Sequence, residues 1–170
     1  MSAHRIGLIG CGGIASAWIR AVAEHDDCEF DWVFDLDADA AARRAEETSA
    51  SMMTDLESGL ASADIDMVVI GTPTSSHPGL VAQAAAAGKH VMCEKPMALG
   101  LDDCQAMIEA CTTAGVQLAI GHSLRFWGAF LKSRRLIADG AIGTPVSGSI
   151  DRLGAAKARQ ENAAGATPDH

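Results

Sequence analysis

The sequence has no apolar run near the roughly 20 residues needed to cross a bilayer, which argues against a transmembrane segment. It is also short of positive charge. Only 13 Lys and Arg stand against 22 Asp and Glu, a formal net charge of −9. Nucleic acid and anionic membrane surfaces are bound through basic patches, so both are poor partners for this chain. A phosphorylated small molecule stays open, because backbone amides at a helix N-terminus bind phosphate without basic side chains. The five cysteines, Cys11, Cys28, Cys93, Cys104 and Cys111, are odd in number and never spaced C-x-x-C. Neither a metal site nor a disulfide framework is indicated, and reduced thiols of a cytoplasmic protein are expected. His4 and Arg5 precede an apolar, small-residue stretch like that of a leader peptide, but no cleavage-site pattern follows. No repeat or low-complexity segment precedes residue 154.

What is present is the composition of a globular domain: 170 residues, 48% of them apolar, enough to build a core. Short runs at 5–9, 66–70, 89–93 and 116–120 and the alternating segment 28–34 read as strands. Between them, 13–24, 37–48, 54–62, 77–87 and 101–114 read as helices, with Asp37 as the cap of the second and Gly88 and Gly115 as stops. A last helix over 126–138 and a strand over 144–150 complete the pattern. Strands alternating with helices through short connections predict an α/β fold, a doubly wound parallel sheet with helices on both faces. The tail from residue 154 has no period and no large apolar residue, so disorder is expected there.

Directly after the first strand stands Gly10-Cys11-Gly12-Gly13-Ile14-Ala15, a G-x-G-x-x-A pattern. Gly10 permits the tight turn, Gly12 lets a pyrophosphate approach the backbone, and Ala15 is small enough for helix and sheet to pack closely. Gly13 and Ile14 complete the turn at the positive end of the helix. Asp35 ends the second strand, where a carboxylate accepts hydrogen bonds from both adenosine ribose hydroxyls and repels a 2′-phosphate. NAD is therefore favoured over NADP. Asp35 could instead cap the following helix, but Asp37 can fill that role. Arg43 and Arg44 could form a clamp for the NADP phosphate; lying well inside a helix, they read better as a solvated face. Trp18 and Trp127 read as core residues.

The later strand ends carry further motifs: Gly71-Thr72-Pro73 with His77 shortly after, Gly88-Lys89-His90-Val91-Met92-Cys93-Glu94-Lys95-Pro96, and Gly121-His122-Ser123-Leu124-Arg125-Phe126-Trp127. Together with the glycine turn they resemble the glucose–fructose oxidoreductase, inositol dehydrogenase and MocA family, from about residue 5 to about residue 150. The resemblance implies an NAD(P)-dependent oxidoreductase that moves a hydride between nicotinamide and a hydroxyl or carbonyl of a sugar, polyol or cyclic diol. It makes Lys95 the catalytic lysine, a base made available by burial and by the positive nicotinamide ring. Glu94 would hold the nicotinamide ribose, and Pro96 would fix the backbone, through a cis bond in one reading. Thr72, Pro73 and His77 would line the cofactor cleft, although His77 could equally be a helix cap. Arg125 would sit near the nicotinamide end or, alternatively, fix the last helix by a salt bridge. Read without the resemblance, Lys95 would be an ordinary surface lysine. His122 is given no role.

Members of that family carry a second, α+β domain, which here is expected to be largely absent. The domain reading is a dinucleotide-binding unit over 1–143, followed by 144–170 as the start of the second domain and a tail. A homo-oligomer, or another chain that completes the fold, are the macromolecular partners this leaves open. The competing reading is a dinucleotide-binding module without catalysis. A complete small reductase fits less well, because other Rossmann dehydrogenases lack the E-K-P block.

Overall fold

Six strands form one all-parallel sheet. They are β1 (His4–Ile9), β2 (Cys28–Phe34), β3 (Ser51–Met52), β4 (Met67–Ile70), β5 (His90–Cys93) and β6 (Leu118–Ile120), in the spatial order β3-β2-β1-β4-β5-β6. The helices are α1 (Ala15–Ala23), α2 (Ala38–Thr48), α3 (Leu56–Ala61), α4 (His77–Ala86), α5 (Leu101–Ala114) and α6 (Gly128–Ala138). The computed structural model describes residues 3–149, in two units: 3–124, which holds the whole sheet, and 125–149. The tail from residue 154 lies outside the described residues. The order reverses between β1 and β4, the switch point at which an open α/β sheet binds its ligand.

The doubly wound α/β sheet expected from the alternating pattern is what forms. Each face buries its own core. On one side Ile6, Leu8, Phe30, Val33 and Val69 meet Ala15 and Ile19 of α1 and Ala40 and Ala41 of α2. On the other, Ile9, Trp32, Val68, Ile70, Val91 and Cys93 meet α3, α4 and α5 through Leu60, Val81, Ala84, Met107 and Cys111. The continuous apolar runs of β1 and β4 follow from this, since a strand covered on both faces has no polar side.

A shift in the β1–β2 ladder explains why β2 does not alternate cleanly. Ile6 pairs with Phe30 but Gly7 with Trp32, so Asp31 is an extra residue on β2. The bulge leaves Phe30 and Val33 on one face and turns the Trp32 ring to the other. That ring lies where a side chain at position 7 would stand: a Cβ on Gly7 would come within 2.3 Å of it.

Three expectations differ from the structure. The strand β3 was not anticipated: it is two exposed residues with no apolar run to announce them, and pairing with Trp32 and Val33 alone creates it. Residues 144–149 form no strand; Pro145 offers no N–H, and no ladder among the described residues includes them, while residue 150 lies outside that range. Trp127 is not core. It is 52% exposed at the start of α6, a helix with no buried residue. Among the described residues no helix is long and apolar enough to cross a membrane.

Candidate functional site

The site is built at the ends of β1, β2 and β4, around a groove of ≈ 480 Å³ lined by Gly10, Gly12, Asp35, Thr72, Pro73 and Ser76, with Ile9, Phe34, Leu36, Leu56 and Leu80 as its apolar wall. Gly10 has φ +95°, and a Cβ there would lie 2.8 Å from the backbone of Gly71. Only glycine lets the turns after β1 and β4 pass this closely. At Gly12 the opposite holds, for a Cβ would meet nothing within 4 Å. Gly12 also lines the groove, so its backbone is open to the groove among the described residues.

The α1 end is arranged for an anion. No side chain caps the helix. The N–H groups of Gly12, Gly13 and Ile14 donate to no acceptor among the described residues. Ala15, fully buried, brings the helix against the sheet. Aligned, unpaired amides at a helix start form a phosphate site. The groove, the open face at Gly12 and these amides together fit a dinucleotide.

Asp35 and Asp37 divide their work as their spacing suggests. Asp37 caps α2, its carboxylate accepting from the N–H of Asp39 (3.0 Å) and Ala40 (3.2 Å). Asp35 faces the turn instead. One oxygen accepts from Cys11 N–H at 2.6 Å, the other from Asp37 N–H at 2.9 Å. Each carboxylate oxygen retains a second lone pair for a further donor. Burial, then the nearby Asp35 charge, pushes the Cys11 thiol up to about 11, against the opposing pull of Arg44.

Arg44 corrects the expectation of a solvated helix face. Its guanidinium is 18% exposed and turns inward. Nε donates to Cys11 O (3.2 Å), Nη2 to Gly12 O (3.0 Å), and Nη1 pairs with Glu47 (2.5 Å). Arg43, beside it, is exposed as expected. Helical spacing sets Arg44 on the same stripe as buried Ala40 and Ala41 and turns Arg43 away from it, and the packing of α2 over the glycine turn supplies the acceptors.

At the far end of the sheet, Glu94 and Lys95 follow β5, and the Lys95–Pro96 peptide is cis. The Glu94 carboxylate accepts from the Trp18 indole N–H at 2.9 Å and from Lys95 N–H at 3.1 Å. Trp18 is half-buried and packs against the α1–α2 core, so its expected core role holds for the ring and misses its polar edge. The Lys95 side chain is exposed, and its ammonium has no partner among the described residues. The burial implied for it is therefore not supplied by those residues.

His77 is fully buried and lies outside the groove lining. One ring nitrogen faces Thr72 O at 3.0 Å, and the other faces Pro96 O (3.1 Å) and Met97 O (3.2 Å). It thus ties the turn after β4 to the cis-proline segment after β5. Lys89 of the same motif is also buried, donating to Ser62 O (2.6 Å) and Ile65 O (3.1 Å) beyond α3. Arg125 is exposed and opens the second unit.

A family profile described as an oxidoreductase family with an NAD-binding Rossmann fold matches residues 4–122. Inositol 2-dehydrogenase of Rhizobium meliloti (strain 1021) is 35% identical over 139 residues, 82% of this chain and 42% of its own length. The 2,7-anhydro-N-acetylneuraminate hydratase of Escherichia coli (strain K12) is 34% identical over 148 residues, 87% of this chain and 39% of its own. Among solved structures, the WlbA dehydrogenase from Bordetella pertussis, in complex with NADH and UDP-GlcNAcA, superposes with a TM-score of 0.81 at 34% identity. That match covers 84% of this chain and 41% of the other. The chain spans about two fifths of the length of these relatives.

Proposed function

This chain belongs to the Gfo/Idh/MocA oxidoreductase family, with its NAD-binding Rossmann fold, and from that premise we propose that its groove binds NAD in preference to NADP and serves hydride transfer at a hydroxyl or carbonyl of a sugar, polyol or cyclic diol. The observation that carries the cofactor reading is the pairing of unclaimed amides at Gly12, Gly13 and Ile14 with open space over Gly12. The amides hold the pyrophosphate, and Asp35 accepts from the adenosine ribose with lone pairs its backbone donors leave free. Its negative charge at the groove wall disfavours a 2′-phosphate. Thr72 and Pro73 line the same groove, and His77 acts one layer below by holding their turn in place.

When bound, nicotinamide supplies the hydride acceptor or donor. Glu94, held by Trp18, receives the ribose next to it. Lys95 Nζ takes the hydroxyl proton in oxidation and returns it in reduction. That role requires the neutral amine, so the ammonium, which has no partner among the described residues, first gives up its proton to solvent. Arg125 is assigned to the nicotinamide end on the family resemblance alone. The dinucleotide-binding unit is taken as 1–143. The relatives include a dehydrogenase and a hydratase, and the substrate class proposed rests on the family resemblance. A homo-oligomer, or a second chain closing over Lys95, is the partner that would exclude water from the reaction.

Titration with NADH and NADPH, followed by nicotinamide fluorescence, tests the reading. Saturable binding that favours NADH and disappears in Gly12→Trp is expected. In Asp35→Ser the ratio of NADPH to NADH dissociation constants falls by about tenfold, for loss of one charged contact and one repulsion. Absence of NADH binding by the folded chain refutes the proposal.

A further inference from the structure

We propose that Arg44 is a positioning residue for the glycine turn, holding its carbonyls away from the ligand so that its amides face the pyrophosphate. The inference rests on the dinucleotide reading of the groove and assigns a residue to it. A peptide presents its N–H and C=O in opposite directions, so a phosphate site made of amides works only if the carbonyls are held elsewhere. In this turn they are. Cys11 O and Gly12 O accept from Nε and Nη2 of Arg44, and Gly12 O also accepts from Ala15 N–H at 3.2 Å. From the other side Asp35 takes Cys11 N–H at 2.6 Å. The Cys11 residue is thereby pinned at both its donor and its acceptor, by groups of opposite charge just after β2 and on α2.

Arg44 is itself held. Glu47, one turn along α2, pairs with Nη1 at 2.5 Å, and the start of α2 is fixed by the Asp37 cap. All three guanidinium nitrogens are thus engaged within the protein. Three of its five N–H donors thereby hold the guanidinium over the turn, whichever dinucleotide is bound. The geometry therefore assigns Arg44 an effect common to both dinucleotides, while the choice between them stays with Asp35.

The test uses the full chain with Arg44→Met, which keeps the apolar stem, and Arg44→Lys, which keeps the charge but not the two-pronged geometry. NADH and NADPH are titrated against each, and thermal unfolding is recorded without ligand. Arg44→Met is expected to raise the dissociation constant for NADH by at least about tenfold, and that for NADPH by a similar factor. Arg44→Lys recovers part of the loss, and all three chains remain folded at the titration temperature. Unchanged NADH affinity in Arg44→Met overturns the proposal, as does a loss confined to NADPH, which would make Arg44 a 2′-phosphate clamp. If Arg44→Met does not fold, Arg44→Lys decides: equal weakening of both dinucleotides supports the assignment, and unchanged affinity refutes it. Failure of the unaltered chain to bind either dinucleotide is a separate result, for it removes the groove reading on which the inference stands.

Discussion

The indole N–H of Trp18 donates to the carboxylate of Glu94 at 2.9 Å, linking the first helix to the end of the fifth strand across 76 positions of sequence. The second oxygen of Glu94 is held by Lys95 N–H at 3.1 Å, and Gly121 flanks the carboxylate. Glu94 therefore has one orientation, and Trp18 sets it.

Trp18→Phe keeps most of the ring packing and removes only this donor. NADH binding is expected to weaken by about three- to tenfold, the range for the net contribution of a typical hydrogen bond. ADP, which lacks the nicotinamide ribose, should bind as before. Equal weakening of ADP in fluorescence competition would show that Trp18 supports the turn rather than Glu94.

Two lysines in one motif should behave in opposite ways. Lys89 is buried and satisfies the carbonyls of Ser62 and Ile65, whereas Lys95 is exposed and unpaired among the described residues. Lys89→Met leaves two carbonyls without a donor and should lower stability by about 1–3 kcal/mol. Lys95→Met should change it by less than about 0.5 kcal/mol, as surface substitutions do. Urea unfolding measures both, and a large loss in Lys95→Met would assign that lysine a structural role.

Alkaline pH should destabilise the fold through its buried thiols. Burial, then the neighbouring Glu94, pushes the Cys93 thiol from 9.0 to about 12. The folded state thus keeps a proton that the unfolded state releases first. The contribution is complete below pH 9.0 and is lost as pH rises toward about 12. Cys93→Ala should be less stable than the parent at pH 7 but show a shallower decline above pH 9. Parallel stability curves for the two would exclude a role for this thiol.

Gly7 should tolerate no side chain while Trp32 faces it. Gly7→Ala places a methyl 2.3 Å from the ring, with Trp32 itself fully buried. A loss of about 2–3 kcal/mol is expected for such overpacking. Replacing Trp32 by Val in the same chain should recover part of it. A double-mutant cycle by chemical denaturation measures the coupling, and simple additivity would mean that the strand shifts instead.

Much of this molecule could be read directly along the chain. Strand, glycine turn and helix follow one another in local sequence, so Gly10, Gly12 and Ala15 announce their roles through steric demands that act over a few residues. The helix stops, the Asp37 cap and the two-sided burial of β1 and β4 are local in the same sense. What the chain order could not show was which side chains meet across the sheet. Helical spacing sets Arg44 on the stripe of Ala40 and Ala41, yet nothing local says that this stripe lies over the glycine turn. Trp18 and Glu94 become partners because α1 crosses back over the strands. The two-residue β3 exists only through pairing with β2, and His77 joins two loops that the sequence separates. Periodicity records which face of an element is buried, whereas hydrogen bonds between distant groups depend on how the elements are placed. The helices, the longer strands and the glycine turn were therefore determined by the sequence itself, and the hydrogen-bond network around the turn was decided by the tertiary structure.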